Sequence, residues 1–546
     1  MNAHLISLEI WVIALGLVLM LADLWLPAER KRFLGYAAAA ALATLLVTNL
    51  GNCATGTAFN GMFVQDGLAV FFKRFFLVAA ILVLFMSAEF SDPGCAGAGR
   101  IASGISEYYS LIVFALSGML FAASANNFAM LFVSIELITV TFYVLTSFQR
   151  NRLVSLEAGV KYLILGALSA AFMVYGIALV WGTTGKLNFN ELALVASQFA
   201  DNKIFLLGMV LVLAGLGFKI AAFPFQIWAP DVYQGAPTPT TAFLAVGSKA
   251  AGFVLLLRVL FTAIPSVTAH WANPLIIISG ITILYGNLCA IPQRNLKRLL
   301  GYSSIAHAGY LLLGVAALSA SGQAAILYYL SGYLFTVLGA FTVIVLVMRH
   351  LDSEDISALA GLNQRSPLLA TTMTLAMVSL AGIPPMAGFF GKFLLLKAVI
   401  EQGATNSGYY CLAFTALAGV VISLYYYFGV IRAIYWSQDA PVDLSPILLS
   451  GPAKFTIAIC IAGMFWIGLF PNTMLNLATA AVKTLGIESH HPHLHGVHDL
   501  FADEDGADDD DGGAGFQTAL FHEAFQRRFD GIFRVDEIEG ARDEKN

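Results

Sequence analysis

Long apolar stretches, each about as long as a membrane-crossing helix, alternate with short polar breaks along most of the chain. Fourteen such stretches occur, at residues 5–26, 34–50, 67–88, 108–124, 128–148, 158–182, 204–229, 238–263, 273–292, 299–318, 323–348, 367–400, 407–434 and 454–482. About 20 apolar residues cross a bilayer as a helix, and no alternating pattern long enough for barrel strands is present. The pattern predicts an all-α polytopic membrane protein with about 14 transmembrane helices.

Two of the predicted helices contain proline in their interior. The seventh reads FKIAAFPFQIWAP with Pro224, and the twelfth reads SLAGIPPMAGFFGKF with Pro384 and Pro385. Prolines that merely kink a transmembrane helix are common. However, interrupted helices in corresponding positions of inverted halves point to a transport site. The matched positions of the two proline-containing helices therefore favour discontinuous helices 7 and 12 at a transport site.

The two interrupted helices divide the chain into comparable parts. Each is fourth in a block of five helices, helices 4–8 over 108–263 and helices 9–13 over 273–434. Because five is odd, the second block crosses the membrane in the opposite sense to the first. The predicted organisation is three N-terminal helices in 1–107, two inverted five-helix repeats, helix 14 at 454–482 and a tail at 485–546.

Composition removes several classes of protein from consideration. Apolar residues make up 58% of the chain and charged residues only 12%, against roughly 25% charged in soluble domains. The five scattered cysteines include no CxxC pair, and no glycine-rich nucleotide motif is present, so we predict no metal, no redox motif and no bound cofactor. The net charge of −5 combines a mildly basic body with an acidic tail, which indicates no nucleic-acid partner.

The positions of lysine and arginine predict the orientation in the lipid bilayer. Odd-numbered connections between helices hold most of them, namely Arg30, Lys31, Arg32, Arg100, Arg150, Arg152, Arg294, Lys297, Arg298, Arg349 and Arg365. Positive loops stay in the cytoplasm, so both termini are expected on the outer side. Lys73 and Arg74, near the outer start of helix 3, run against this trend.

Ionisable residues inside predicted membrane helices are the candidate chemistry. They are Glu136, Lys161, Lys219, Lys249 and Lys392. Each costs about 2.5–3.5 kcal/mol at mid-membrane on insertion scales. A residue near a helix end can simply extend to the interface, and this interpretation suits Lys161. It does not suit Lys219 and Lys249, which lie well inside their helices.

Lys219 has a specific setting in the sequence. Pro224 has no N–H to bond the carbonyl of Ile220, which predicts an unpaired carbonyl beside the lysine. Desolvation favours a neutral lysine and a nearby carboxylate favours a charged one. A pair of Glu136 and Lys219 that forms and breaks would therefore switch the lysine between holding and releasing a proton.

His307 is a further candidate for proton transfer. It lies in GYSSIAHAGY in the second helix of the second block, the position that Glu136 holds in the first. Histidine relays protons near neutral pH, but a lone histidine can equally be a hydrogen-bonded packing residue. The buried set is rich in proton-exchanging groups and not in the oxygen ligands of a sodium site. A proton conduit is the favoured interpretation, and a purely structural scaffold would leave the charges unexplained.

Four long motifs resemble one protein family. They are SIELITVTFYVLTSFQR (134–150), APDVYQGAPTPTTAFLAVGSKAAGF (229–253), GYSSIAHAGYLL (301–312) and SLAGIPPMAGFFGKF (379–393). They resemble subunit N of the bacterial proton-translocating NADH–quinone oxidoreductase, respiratory complex I, in the antiporter-like family, and the resemblance covers about 1–482. It implies fourteen helices, inverted repeats and an inner-membrane location. Multisubunit cation/proton antiporters and membrane-bound hydrogenases share the pattern and are the alternative.

The resemblance also implies roles for individual residues and partners for the chain. Glu136 would pair with Lys219, Lys249 would link toward a terminal Lys392, and Lys161 matches a further family lysine. The sister subunit M usually has glutamate where Lys392 stands, which favours N. Flavin, iron–sulfur clusters and quinone are expected on other subunits, and antiporter-like membrane subunits are expected as neighbours.

The tail after residue 485 departs from the family. It contains the histidine-rich stretch HHPHLHGVH (490–498) and an acidic run at 501–515 that is typical of a disordered linker. Apolar residues then recur at helical spacing over 516–534. We predict an amphipathic helix there that packs on a partner subunit.

Overall fold

The computed structural model describes residues 3–27, 30–51, 54–90, 104–348, 351, 353–436 and 445–485. Within these residues the chain is almost entirely helical, with a single hairpin of two short strands, β1 (Gly56–Ala58) and β2 (Phe63–Gln65). The histidine-rich stretch and the predicted helix at 516–534 lie outside the described residues.

The helices of the first half follow the predicted order. They are α1 (Ser7–Ala22), α2 (Lys31–Leu50), α3 (Gly67–Phe90), α4 (Ile105–Ala123), α5 (Phe128–Thr146), α6 (Leu153–Thr184), α7 (Phe189–Val195), α8 (Lys203–Ile220), α9 (Trp228–Gly235), α10 (Thr238–Phe243) and α11 (Lys249–Arg258). The π-helical turn Leu244–Ser248 joins α10 to α11, and a second such turn, Val259–Ala263, follows α11. Together these four pieces form the eighth predicted helix.

The second half has the same kind of order. Its helices are α12 (Ala272–Ala290), α13 (Leu296–Ala316), α14 (Ala320–Met348), α15 (Leu362–Arg365), α16 (Pro367–Ala381), α17 (Ala387–Glu401), α18 (Gly408–Trp436), α19 (Gly451–Leu469) and α20 (Pro471–Val482). Among the described residues, thirteen helices are long and apolar enough to cross a membrane. The split pair α16 and α17 supplies the remaining crossing, so the predicted fold class is confirmed.

Both proline-containing helices are broken, as predicted, and α8 ends at Ile220. Ala221 takes a left-handed conformation (φ 60°), and the Ala222 N–H donates to the Gly217 carbonyl at 2.9 Å. This closing geometry satisfies carbonyls at the helix end. The chain then runs irregularly to the start of α9.

The last predicted helix, 454–482, is also divided in the structure. α19 ends at Leu469 and α20 begins at Pro471. Pro471 has no N–H to donate to the carbonyl of Ile467, four residues earlier, and its ring would crowd that carbonyl. The Ile467 carbonyl accepts instead from the Tyr328 hydroxyl of α14 at 2.8 Å. A proline thus ends the helix at a point where another helix supplies the missing donor.

Interior and peripheral helices are clearly distinguished. The residues of helix 8 (Thr238–Ala263), α13 and α14 are almost all buried within the chain, whereas most of α2 and α6 faces outward. Helices covered on every side are surrounded by protein and not by lipid. The charged and polar residues of α11, α13 and α14 therefore lie in the interior of the bundle.

The two basic residues that run against the charge trend both have partners in the structure. Lys73 of α3 forms an ion pair with Glu9 of α1 (Nζ–Oε1 2.6 Å), and both side chains are fully buried. The Arg74 guanidinium donates to the last carbonyls of α2, Asn49 and Leu50, at 3.1 Å each. Lys73 is therefore neutralised by a buried carboxylate, whereas Arg74 keeps its charge on main-chain carbonyls.

A second charged cluster connects the two halves of the chain at the ends of the membrane helices. Glu354, between α14 and α15, accepts from Lys297 of α13 and pairs with Arg152, which precedes α6, at 3.2 Å each. Lys297 also donates to the Ala236 carbonyl at 2.8 Å. Burial raises the pKa of Glu354, but the charges of Lys297 and Arg152 outweigh it and hold the pKa below its ordinary value. Glu354 therefore remains ionised in the folded protein.

This cluster predicts a dependence of stability on pH. A carboxyl whose pKa is lower in the folded state stabilises the fold above its unfolded value of about 4.3, and this stabilisation is lost as pH falls through the folded pKa. We expect thermal unfolding of the detergent-solubilised protein to occur at a lower temperature below about pH 4. In Glu354→Gln the fall in unfolding temperature at acid pH should be smaller. An equal fall in both proteins would contradict the role of Glu354 in this pH dependence.

Candidate functional site

Three of the predicted lysines are buried in the interior and bound to neutral oxygens. Lys219, in the last turn of α8, donates to the Thr139 hydroxyl of α5 at 2.8 Å. Lys249, the first residue of α11, donates to both the carbonyl and the hydroxyl of Ser304 on α13. Their side chains are 3% exposed. Both lysines therefore keep hydrogen-bond partners without a neutralising charge.

Lys392 of α17 reaches across the break in helix 12. Its ammonium donates to the carbonyls of Leu380 and Ala381, at 2.8 and 3.1 Å, at the end of α16. Such terminal carbonyls have no partner within their own helix and carry the negative end of its dipole, which favours a cation. Gly382 follows with φ 87°, and a Cβ there would lie 2.9 Å from Lys392 Cδ. The break and its glycine are what allow the lysine to reach these carbonyls.

The absence of a carboxylate partner distinguishes these lysines from the other buried ones. The part of the chain that the structure describes contains five buried lysines, Lys73, Lys219, Lys249, Lys297 and Lys392. Lys73 and Lys297 form ion pairs with Glu9 and Glu354. The other three have no carboxylate within 4 Å among the described residues. A buried ion pair holds its proton firmly, whereas a lysine on neutral oxygens can exchange it.

Glu136 lies near Lys219 but does not contact it in this structure. It is partly buried on α5, one turn before Thr139, and the two charges interact electrostatically. No ion pair within 4 Å joins them among the described side chains, and the lysine ammonium donates to Thr139 instead. The pairing of Glu136 with Lys219 stays a prediction.

Lys161 lies apart from the interior lysines. It is 43% exposed and forms ion pairs with Glu157 and Asp231, each at 2.7 Å. Asp231 also binds Arg298 at 2.5 Å. Because α6 begins at Leu153, Lys161 is its ninth residue and lies further from the helix start than predicted. Its exposure and its ion pairs place it outside the buried row.

His307 joins a hydrogen-bonded chain of hydroxyls in the interior. One ring nitrogen bonds the Tyr329 hydroxyl of α14, and Nε2 lies 3.0 Å from the Tyr427 hydroxyl of α18. Tyr427 in turn bonds Ser303 at 2.5 Å. Groups that both donate and accept can pass a proton along such a chain. The same contacts also hold the ring in place, so His307 suits both of its predicted roles.

α13 is the helix on which these groups converge. It carries Ser303, Ser304 and His307, and Ser304 also accepts from Tyr333 at 3.1 Å and bonds Tyr233 at 2.8 Å. Lys392, on the far side, lies 4.8 Å from the centre of the Tyr310 ring of the same helix. One helix therefore contacts both Lys249 and Lys392.

Sequence reasoning missed some of the partners. Thr139 and Tyr233 were not singled out, and the carbonyls of α16 cannot be recognised from residue types at all. Thr139 follows Glu136 by three residues, a spacing that puts both on one face of α5. That spacing was the available signal. Among the described residues, no group of three or more His, Cys, Asp or Glu is arranged to hold a metal ion.

Comparison with known proteins places the chain in a family. The family described as the transmembrane region of NADH:quinone oxidoreductase and Mrp antiporter matches residues 125–423. NADH-quinone oxidoreductase subunit N of Moorella thermoacetica is 39% identical, over 88% of this chain and 99% of that protein. The same subunit of Desulforamulus reducens is 38% identical, over 88% and 98%.

Solved structures agree with these relatives. A chain of respiratory complex I from Thermus thermophilus with bound aureothin is 32% identical with a TM-score of 0.72, over 87% of this chain and 100% of that one. A chain of the membrane-bound sulfane sulfur reductase, an archaeal respiratory membrane complex, has a TM-score of 0.76 at 23% identity, over 88% and 97%. The latter shows a shared fold. With most of its length matched at this identity, the chain belongs to the subunit N family of NADH–quinone oxidoreductase membrane subunits.

Proposed function

We propose that the chain is a proton-translocating membrane subunit of an NADH–quinone oxidoreductase, the enzyme named in its relatives. The observation that carries the proposal is the set of three buried lysines, Lys219, Lys249 and Lys392, held by neutral oxygens inside the bundle. A lysine held by neutral oxygens can take up and release a proton without leaving a buried carboxylate unpaired. The chain itself would perform no redox chemistry.

The proposed route follows the contacts of the buried row. Lys219 takes a proton from the cytoplasmic side, and closing of the Glu136–Lys219 pair sets how firmly it is held. The Lys219 stem lies beside α11, where a Cβ at Gly252 would be 3.3 Å from Lys219 Cγ, one turn from Lys249. From Lys249 the proton passes through Ser304, the His307 hydroxyl chain and intervening waters to Lys392, which releases it outward.

Partners, cofactors and orientation follow from the same proposal. Flavin, iron–sulfur clusters and quinone would belong to other subunits, whose redox reaction supplies the energy. The neighbours would be other antiporter-like membrane subunits in a bacterial inner membrane, with both termini on the outer side. The tail at 485–546 would contact one of these subunits.

A subunit of a multisubunit cation/proton antiporter is the second candidate. It is supported by the fold that the chain shares with a chain of the Mrp complex from Dietzia, TM-score 0.73 at 20% identity. Membrane-bound hydrogenases belong to the same alternative. Under each of these candidates the buried lysines of this chain would exchange protons, and the candidates differ in what drives that exchange.

A native gel separates these candidates. Membranes are solubilised mildly, stained for NADH dehydrogenase activity, and the chain is located in the gel by mass spectrometry. We expect it in a large band with NADH activity. If it migrates with other antiporter-like chains and without that activity, proton exchange by the lysines stands and the redox coupling is contradicted.

A further inference from the structure

An apolar groove lies on the side of the bundle between α8 and α12. Its volume is about 230 Å³, and its walls include Val210 and Gly217 of α8 and Leu275 and Ile278 of α12. Every side chain that lines it, among the described residues, is aliphatic or aromatic. Val210 is 47% exposed, so the groove opens to the surroundings of the bundle. For a helix that crosses a membrane these surroundings are apolar.

The groove extends along α8 toward the break in helix 7. Val210 and Ile220 both line it and lie ten residues apart in α8, about 15 Å along the helix axis. This distance is about half the thickness of the hydrocarbon core of a bilayer. Ala222 and Phe223, in the irregular segment after α8, line the groove as well. Its inner end is therefore formed by the chain immediately after Lys219.

Trp271 lines the same groove and has an unpaired hydrogen-bond donor. It directly precedes α12, the membrane-crossing helix that begins at Ala272, and tryptophan at such a position lies at the level of the lipid headgroups. Its side chain is 8% exposed, and the indole Nε1 has no hydrogen-bond partner among the described residues. Because buried polar groups almost always have a partner, this N–H indicates an acceptor from outside the described residues.

The other buried tryptophan does have such a partner. Of the seven tryptophans in the chain, only Trp228 and Trp271 are buried, and the Trp228 indole donates to the Phe218 carbonyl at 3.0 Å. The fold can therefore satisfy a buried indole, but it leaves Trp271 unpaired. An unpaired indole in an apolar groove suits a ligand that is apolar along most of its length and has one acceptor at the membrane interface.

A phospholipid has this distribution of groups. Its acyl chain matches the apolar walls, and its ester carbonyls lie between the chain and the headgroup, at the level expected for Trp271. An apolar cavity of roughly 150 Å³ holds a benzene-sized molecule, so the groove has room for part of one acyl chain. A helix of a neighbouring subunit is about 10–12 Å across and bonds its own carbonyls internally. It is too wide to enter the groove, and its main chain offers the indole no acceptor.

We propose that the groove binds one phospholipid, with an acyl chain between α8 and α12 and an ester carbonyl that accepts from the Trp271 indole N–H. The end of the acyl chain packs against Ala222 and Phe223, so the lipid supports the break in helix 7 from the side of the bilayer. This proposal goes beyond proton translocation and does not depend on it.

The first experiment is a high-resolution cryo-electron microscopy map of the intact complex in lipid nanodiscs. We expect elongated density for an acyl chain in the groove, with a lipid oxygen about 3 Å from Trp271 Nε1. A side chain of a neighbouring subunit in the groove would overturn the proposal. An empty groove with only water bonded to the indole would also overturn it.

The second experiment measures lipid affinity in detergent. The intact complex is stripped of bound lipid, titrated with phosphatidylethanolamine that carries a diazirine on one acyl chain, and irradiated. Mass spectrometry then quantifies labelling of the peptide that contains α8, and we expect this labelling to saturate. Trp271→Phe keeps an aromatic ring but removes the donor, and it should raise the half-saturating lipid concentration about fivefold, the effect of one lost hydrogen bond. Val210→Trp narrows the open side of the groove and should abolish saturable labelling.

Two matched variants control for general disturbance. Leu207→Trp makes the same kind of change three residues earlier in α8, at a position that is 50% exposed but does not line the groove. Trp181→Phe removes an indole from an exposed position on α6. Both should be labelled like the unchanged protein, with assembly checked on the native gel. An unchanged half-saturating concentration in Trp271→Phe, or saturable labelling in Val210→Trp, would overturn the proposal.

Discussion

Proton pumping should fall at least about tenfold when Lys219 is replaced by alanine, while the complex still assembles. Among the described residues the Lys219 ammonium donates to the Thr139 hydroxyl and forms no ion pair within 4 Å, so its removal breaks no salt bridge. Alanine keeps the helix, because Lys219 lies in the last turn of α8 before the break. The measurement is NADH-driven acidification of membrane vesicles, with complex assembly followed by the NADH-stained native gel.

Two further variants test what Lys219 contributes. Lys219→Arg keeps the positive charge, but a guanidinium does not release its proton in proteins. We expect this variant to pump as poorly as Lys219→Ala, whereas a purely static charge would be rescued by arginine. Lys161→Ala should have a much smaller effect, since Lys161 is half-exposed and lies outside the row. Normal pumping by Lys219→Ala would contradict the assignment.

The largest loss of stability is expected from Glu9→Gln. Glu9 and Lys73 are fully buried and 2.6 Å apart. The glutamine leaves the ammonium of Lys73 with the neutral oxygen of Gln65 and the face of Phe63, whose ring centre lies 4.6 Å away. Breaking a buried pair from one side costs about 3–5 kcal/mol. Thermal unfolding of the detergent-solubilised protein should therefore occur at a lower temperature.

The matched control removes both charges together. Glu9→Gln/Lys73→Met leaves no unpaired buried charge, and such replacements are often neutral or stabilising. We expect the double variant to recover most of the stability that the single variant loses. If the double variant is as unstable as Glu9→Gln, the ion pair is not the source of the effect.

The buried lysines show what residue order can and cannot reveal. Glu136, Lys219, Lys249 and Lys392 were recognised because a charge within an apolar helix is conspicuous in any sequence. Their partners were not, because Thr139 lies 80 residues from Lys219 and Ser304 lies 55 from Lys249. Hydroxyls and main-chain carbonyls occur everywhere along the chain. Only packing decides which of them meets a lysine.

The helix breaks likewise separate what the sequence predicts from what packing decides. Pro224 predicted that helix 7 is interrupted, but the left-handed Ala221 and the end of α8 at Ile220 depend on how the chain packs beyond the helix. Pro471 was not recognised as the end of a helix, because the apolar run continues past it. The donor that makes this end tolerable, the Tyr328 hydroxyl, comes from a distant helix.

The sequence by itself determined the membrane class, the number of crossings, the two interrupted helices and the buried lysines Lys219, Lys249 and Lys392. These features depend on apolar length, proline chemistry and the cost of charge in lipid, which act locally along the chain. The tertiary structure alone decided that Lys73 and Lys297 are held by carboxylates whereas Lys219, Lys249 and Lys392 are held by neutral oxygens. The physical reason is that a counter-ion is a contact between distant helices. Whether a buried lysine is a static ion pair or a proton carrier is therefore decided by packing.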